Sequence, residues 1–149
     1  MTCRACLLLL AAALPLAACQ AGGEGGANVP GDTSSTAPYS GIAADELLKF
    51  TGTEPFWGGQ VQGTALTYST PEDVDGETIT VERFAGRGGI AFSGELGGET
   101  FDLVVSQGEC SDGMSDRTYP FTVTLHLGDE TRGGCAWSDE HPFSGPEHP

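Results

Sequence analysis

The segment Ser111–Arg117 holds the densest group of side chains that could do chemistry. It reads Ser-Asp-Gly-Met-Ser-Asp-Arg, so hydroxyls, carboxylates and a guanidinium lie close together in sequence. An ion pair of Asp112 or Asp116 with Arg117 could order the segment, or these groups could contact a partner. No histidine–acid arrangement nearby suggests an activated serine nucleophile. We therefore define a candidate binding loop, the 111–117 loop, with candidate contact residues Ser111, Asp112, Met114, Ser115, Asp116 and Arg117.

Other groups give weaker signals for chemistry. A hydrolase would need Asp112, Ser115 and His126 within hydrogen-bonding reach in a barrel pocket. The carboxylates of the run Asp73–Glu77 lack the spacing of a calcium-binding EF-hand loop, and the histidines of the chain are scattered. The sequence therefore predicts no catalytic residue, no metal site and no cofactor.

Two neighbouring aromatic residues, Phe56 and Trp57, follow a proline at position 55. They are a candidate aromatic platform, on which a ligand could stack or which could plug the mouth of a barrel. The alternative is structural, with Pro55 at a corner of the chain and both rings filling the core. The sequence leaves both interpretations open.

Alternating apolar and polar residues predict the strands that must position these groups. Between Phe121 and Leu127 apolar residues alternate with threonine and histidine, the period-two pattern of a half-buried strand. Another such run spans Glu77–Phe84, whereas Pro71–Gly76 is predicted to be a turn and Gly97–Gly98 a two-residue hairpin connection. No window of ten or more residues after the N-terminal region has helical periodicity.

These patterns predict an all-β domain. The most economical architecture is a small antiparallel up-and-down barrel of about eight strands, because closure removes exposed strand edges. A two-sheet β-sandwich is the alternative. The predicted organisation is a signal peptide at 1–18, a lipidated N-terminus and flexible linker at 19–43, a β-barrel domain at 44–138, and a Pro-rich C-terminal tail at 139–149.

The N-terminus carries a targeting segment. Arg4 precedes an apolar run that ends at Leu16, which is too short to span a bilayer as a mature helix. The sequence Leu16-Ala-Ala-Cys19 resembles a bacterial lipobox, which implies a diacylglycerol on the Cys19 sulfur and an acyl group on its amine. Such lipids would anchor the chain to a membrane. Gln20 after the cysteine resembles the outer-membrane sorting pattern, so we expect the periplasmic face of the outer membrane in a Gram-negative host.

The cysteine count follows from this interpretation. Cys3 and Cys6 would leave with the signal peptide and Cys19 would carry lipid, so Cys110 and Cys135 remain in an oxidising compartment. We expect a disulfide between them. The alternative is a metal site that uses both thiolates, but it lacks the further nearby Cys or His ligands of structural zinc.

The charge balance restricts the partners. The formal net charge is −15, and loss of Arg4 with the signal peptide leaves −16 because all acidic residues lie after that segment. Nucleic acid is excluded as a partner, since it requires a basic footprint, and anionic lipid head groups are disfavoured. A basic protein partner is permitted. The alternative is that the acids only keep a tethered protein soluble.

Two motifs together resemble a family of uncharacterised bacterial envelope lipoproteins. The family pattern is G-x-E-P-F-W near the start and C-x-D-x-M-S-x-x-x-Y-P…G-C near the end. The matching segments are Gly52-Thr-Glu-Pro-Phe-Trp57, Cys110-Ser-Asp-Gly-Met-Ser-Asp-Arg-Thr-Tyr-Pro120 and Gly133-Gly-Cys-Ala136. The resemblance implies the β fold, the tether and the disulfide, and an association with lysozyme-inhibitor-like and META-type domains. It implies no established activity.

The resulting functional hypothesis is a lipid-anchored, non-enzymatic binding or structural module of the cell envelope. Three alternatives remain: an inhibitor of a basic c-type lysozyme, a small envelope hydrolase, and a carrier of a small apolar ligand. The carrier requires a barrel with an open interior rather than one filled by side chains.

Overall fold

A computed structural model describes residues 37–146, which form nine β-strands and no helix. The predicted signal peptide, Cys19 and most of the predicted linker lie outside these residues, as do the last three residues. Within the described range, no helix is long and apolar enough to cross a membrane.

The strands form one antiparallel sheet in the order β4-β3-β2-β1-β9-β8-β7-β6-β5, curled into a nearly closed barrel. This confirms the predicted all-β fold and barrel. The strands are β1 (Leu48–Thr53), β2 (Phe56–Gln62), β3 (Ala65–Thr70), β4 (Asp73–Thr80), β5 (Glu82–Ala85), β6 (Gly89–Leu96), β7 (Glu99–Cys110), β8 (Tyr119–Leu127) and β9 (Glu130–Trp137).

The barrel closes where β4 continues into β5. The chain leaves its pairing with β3 at Thr80 and pairs with β6 from Glu82, so the intervening Val81 marks a change of partner. Val81 is buried, and its N–H donates to the carbonyl of Thr64. The sequence predicted a single strand across this corner, which is why it counted about eight strands rather than nine.

The predicted turn Pro71–Gly76 is wrong from Asp73 onward. Residues 73–76 belong to β4, and only Pro71 and Glu72 connect β3 to β4. The pairing shifts register between Tyr68 and Thr70, and Gly76 has φ of +73°. The turn-forming composition therefore marks an irregular first half of β4, where a glycine in the left-handed region bends the strand.

Side chains fill the interior of the barrel. On β8, Phe121, Val123 and Leu125 are buried as the alternation predicted. Ring contacts cross the interior from Trp57 to Tyr68 at 6.2 Å and from Tyr68 to Phe101 at 5.8 Å. Such packing leaves the hypothetical carrier of an apolar ligand without the open interior that it requires.

The segments before β1 and after β9 both pack against the barrel. Ile42 is 3% exposed and belongs to the core, and its carbonyl accepts a 2.8 Å hydrogen bond from the Arg83 guanidinium. The packed chain therefore begins before residue 44, where the sequence placed the start of the domain. After β9, the segment Ser138–Pro146, which we call the C-terminal strap, forms an isolated bridge with Thr118 through Ser144.

Candidate functional site

The 111–117 loop begins beside a disulfide. Cys110 is the last residue of β7 and Cys135 lies buried in β9. Their sulfurs are bonded, with the Cα atoms 5.6 Å apart. The structure thus confirms the predicted disulfide over the alternative of a metal site that uses both thiolates.

The Asp112 carboxylate organises the 111–117 loop. It accepts hydrogen bonds from the N–H groups of Met114 at 3.0 Å and Ser115 at 2.8 Å. The Ser115 hydroxyl donates to it at 2.7 Å and the Tyr119 hydroxyl at 3.2 Å. Burial by itself would raise the pKa of Asp112, but these hydrogen bonds outweigh it and lower the pKa to about 2. The carboxylate is therefore ionised and fixed at neutral pH.

The loop is also attached to the β1–β2 hairpin. The Thr53 hydroxyl donates to the Asp112 carbonyl at 3.2 Å, and Thr53 lies opposite Phe56 in the strand pairing. Within this arrangement the Met114 side chain is 69% exposed and Phe56 is 52% exposed. We call this region, with its two exposed apolar side chains, the Met114–Phe56 surface.

Phe56 and Trp57 do not form a shared platform. Trp57 is 3% exposed inside the barrel, and its ring contacts that of Phe50 at 5.8 Å. Phe56 faces solvent because neighbouring residues of a strand point to opposite sides. Trp57 therefore fits the alternative in which the ring fills the core, whereas Phe56 does not. A Cβ at Gly52 would lie 2.1 Å from Trp57 Nε1, so the indole requires a glycine at that position.

The residues that a hydrolase would need are not brought together. Asp112 and Ser115 are hydrogen-bonded to each other near Tyr119, at the start of β8. His126 lies near the other end of β8, ~23 Å from Tyr119 along an extended strand. Its Nδ1 is 2.9 Å from the Thr131 hydroxyl on β9. Residues 37–146 also contain no group of three or more His, Cys, Asp or Glu side chains that could hold a metal.

A polar cluster that the sequence did not reveal joins the two ends of the domain. The Glu46 side chain is 3% exposed and accepts hydrogen bonds from the Ser138 hydroxyl, the Ala43 N–H at 2.9 Å and His141 Nδ1 at 3.0 Å. Burial would raise the pKa of Glu46, but these bonds lower it below its usual value. Ser138 is fully buried, so the cluster fastens the C-terminal strap and exposes no nucleophile.

A second unforeseen cluster lies between β3 and β9. Arg132 donates to the Tyr68 hydroxyl at 2.6 Å and pairs with the exposed carboxylate of Glu130. The hydrogen bond with Glu130 is the main cause that raises the pKa of Arg132, whereas burial raises that of Tyr68. Because its polar groups are mutually satisfied, the cluster allows a half-buried arginine beside the core.

Comparisons find no match to a protein-family model, a curated protein or a solved structure. The resemblance to the envelope lipoprotein family therefore stays a prediction. Function has to be inferred from the arrangement of the chain's own residues, and among the candidate residues the 111–117 loop is the group that the fold assembles.

Proposed function

We propose that this chain is a lipid-anchored, non-enzymatic binding module of the bacterial cell envelope. The observation that carries the proposal is the fixed 111–117 loop, in which the Asp112 network keeps Met114 exposed. An apolar side chain on a loop ordered by so many polar contacts is already positioned for a partner, so little conformational entropy is lost on binding.

The composition of the Met114–Phe56 surface suits a protein partner. Methionine adapts its shape to different apolar surfaces, and aromatic side chains supply much of the contact area in protein interfaces. The two side chains lie on different elements, since Met114 is in the loop and Phe56 begins β2. Thr53 joins these elements through its hydroxyl, so the loop that carries Met114 is attached to the hairpin that carries Phe56.

The lipobox-like sequence supports the tether and the location. Lipid on Cys19 would place the barrel on a membrane surface, and the residues up to the packed segment would give it reach. The expected site is the periplasmic face of the outer membrane in a Gram-negative host. A Cys19→Ser variant should then move from the membrane fraction to the soluble fraction of the cell.

The second candidate function is inhibition of a basic c-type lysozyme. The net charge of −16 after loss of Arg4 favours it, since opposite charges accelerate the encounter with a cationic enzyme. The 111–117 loop would then insert into the cleft of the enzyme. Binding of a c-type lysozyme at low salt, weakened by Met114→Gln, is expected; no binding at low salt would remove this candidate.

Site-specific photocrosslinking tests the binding module itself. A photoreactive phenylalanine analogue at position 114 in living cells should give discrete protein adducts. The control carries the same analogue at Phe84, which is 70% exposed on β5 and outside the proposed surface. Equal adducts from both positions, or none from position 114, would contradict the proposal.

A further inference from the structure

The C-terminal strap places an aromatic residue against two rings of the barrel. The Phe143 ring contacts Tyr119 at 5.6 Å and Trp137 at 5.9 Å between ring centroids. The guanidinium of Arg117 lies 4.4 Å from the centre of the same ring. Phe143 thus sits among two aromatic rings and a cation, an arrangement that favours an aromatic guest.

The strap residues after Phe143 are held by hydrogen bonds to their backbone. Ser144 and Thr118 exchange two backbone hydrogen bonds, of 3.0 and 2.9 Å, as neighbouring strands do. The Arg117 Nε–H donates to the carbonyl of Pro146 at 2.8 Å. Between them Gly145 has φ of +110°, and a Cβ there would lie 2.5 Å from the Asp116 carbonyl oxygen. The position therefore requires glycine.

These features are those of a peptide-recognition site. Two rings and a guanidinium select one side chain, a short β-bridge fixes the direction of the chain, and an arginine holds a carbonyl further along. We propose that the surface formed by Arg117, Thr118, Tyr119 and Trp137 is a binding site for an extended peptide from a partner protein. The ligand carries an aromatic residue followed by a small residue, a glycine and a carbonyl, and the C-terminal strap occupies the site in its absence.

The end of the strap beyond the buried Glu46 cluster, residues 142–146, is suited to replacement. Ser144, Gly145 and Pro146 are exposed, and Phe143 is only partly buried. Tyr119 beneath it is 2% exposed, so an empty site would uncover an aromatic surface. Exchange for another peptide keeps this surface covered, whereas release of the strap alone would expose it to water at a cost in free energy. Because Ser138 and His141 stay fixed to Glu46, the end of the strap keeps an effective concentration of about 1 mM and competes with any partner.

Fluorescence anisotropy of a labelled peptide with the sequence of residues 138–149 tests the proposal on the mature chain. In the variant Phe143→Ala the strap loses its anchoring ring, so we expect about tenfold tighter binding of the peptide than in the wild type. The matched control is Phe84→Ala, which removes an exposed ring on β5 and should bind as the wild type does.

Substitutions in the peptide define the recognition. Phe143→Ala or Gly145→Ala in the peptide should each weaken binding about tenfold or more, whereas Glu140→Gln, at an exposed position, should not change it. Equal binding to the Phe143→Ala and wild-type proteins, or equal affinity of all peptides, would overturn the proposal. Should the Phe143→Ala protein unfold, the peptide ranking on the wild type decides. Met114→Gln should leave peptide binding unchanged, which separates this site from the Met114–Phe56 surface.

Discussion

At the residue scale, Asp112 shows why sequence alone did not assign the polar side chains of the 111–117 loop. Its donors are Met114, Ser115 and Tyr119, all within seven positions along the chain. The pattern identified these residues as a group but could not distinguish a contact residue from one that orders the loop. The geometry separates the roles: Asp112 and Ser115 face each other, and Met114 faces solvent.

The lowered pKa of Asp112 predicts a specific dependence of stability on pH. Its usual value of 3.8 falls to about 2 in the fold, so ionised Asp112 stabilises the folded state above pH 4. That contribution is lost as the pH falls from about 4 to about 2. Asp112→Asn should therefore lower the free energy of unfolding by about 1–2 kcal/mol at pH 7, and the difference from wild type should shrink at pH 2. Urea unfolding across this pH range measures it.

The control for this effect is Asp116→Asn, which neutralises an exposed carboxylate of the same loop. A loss of stability in Asp112→Asn that stays constant from pH 7 to pH 2 would mean that the folded state does not stabilise the ionised form of Asp112. An equal loss in both variants would point to the net charge of the loop and not to the Asp112 network.

At the element scale, the regular strands could be predicted from the sequence, but the corner between β4 and β5 could not. The sequence identified the alternation of β8 because every second side chain packs into one core. The break at Val81 has no local signal, since residues on both sides keep strand-like composition and only the partner strand changes. The strap and Ile42 were missed for the same reason, because their contacts join residues far apart in the chain.

The corner makes Gly94 a sensitive position. A Cβ there would lie 2.8 Å from the Thr80 carbonyl oxygen and 3.1 Å from a methyl carbon of Val81. Gly94→Ala should therefore push β6 away from the end of β4 and lower the free energy of unfolding by about 1–3 kcal/mol. Gly133→Ala is the matched control in β9, since nothing lies within 4 Å of its added Cβ. Thermal unfolding measures the difference. An equal change in melting temperature in both variants would contradict a close approach of β6 to the end of β4 at Gly94.

At the scale of the whole molecule, the disulfide links two strands that are not neighbours in the sheet. Cys110 ends β7 and Cys135 lies in β9, with β8 between them. Removing a crosslink between residues 25 positions apart restores entropy to the unfolded chain. The double variant Cys110→Ser/Cys135→Ser should be less stable in urea by about 3 kcal/mol. Wild-type protein treated with a reductant should match it, and no change on reduction would contradict a bond that supports the fold.

The excess of acidic over basic residues in the chain also belongs to this scale. A net charge of −15 repels itself more strongly in the compact fold than in the expanded unfolded chain. Raising NaCl from 10 to 150 mM shortens the screening length from about 30 Å to about 8 Å, so the melting temperature should rise by a few degrees. Glu72→Lys with Asp75→Lys, at two exposed positions, should show a smaller rise because less repulsion remains to be screened. KCl should act as NaCl does if screening is the cause. A melting temperature that stays constant or falls with salt would show that self-repulsion is not what limits the stability of this barrel.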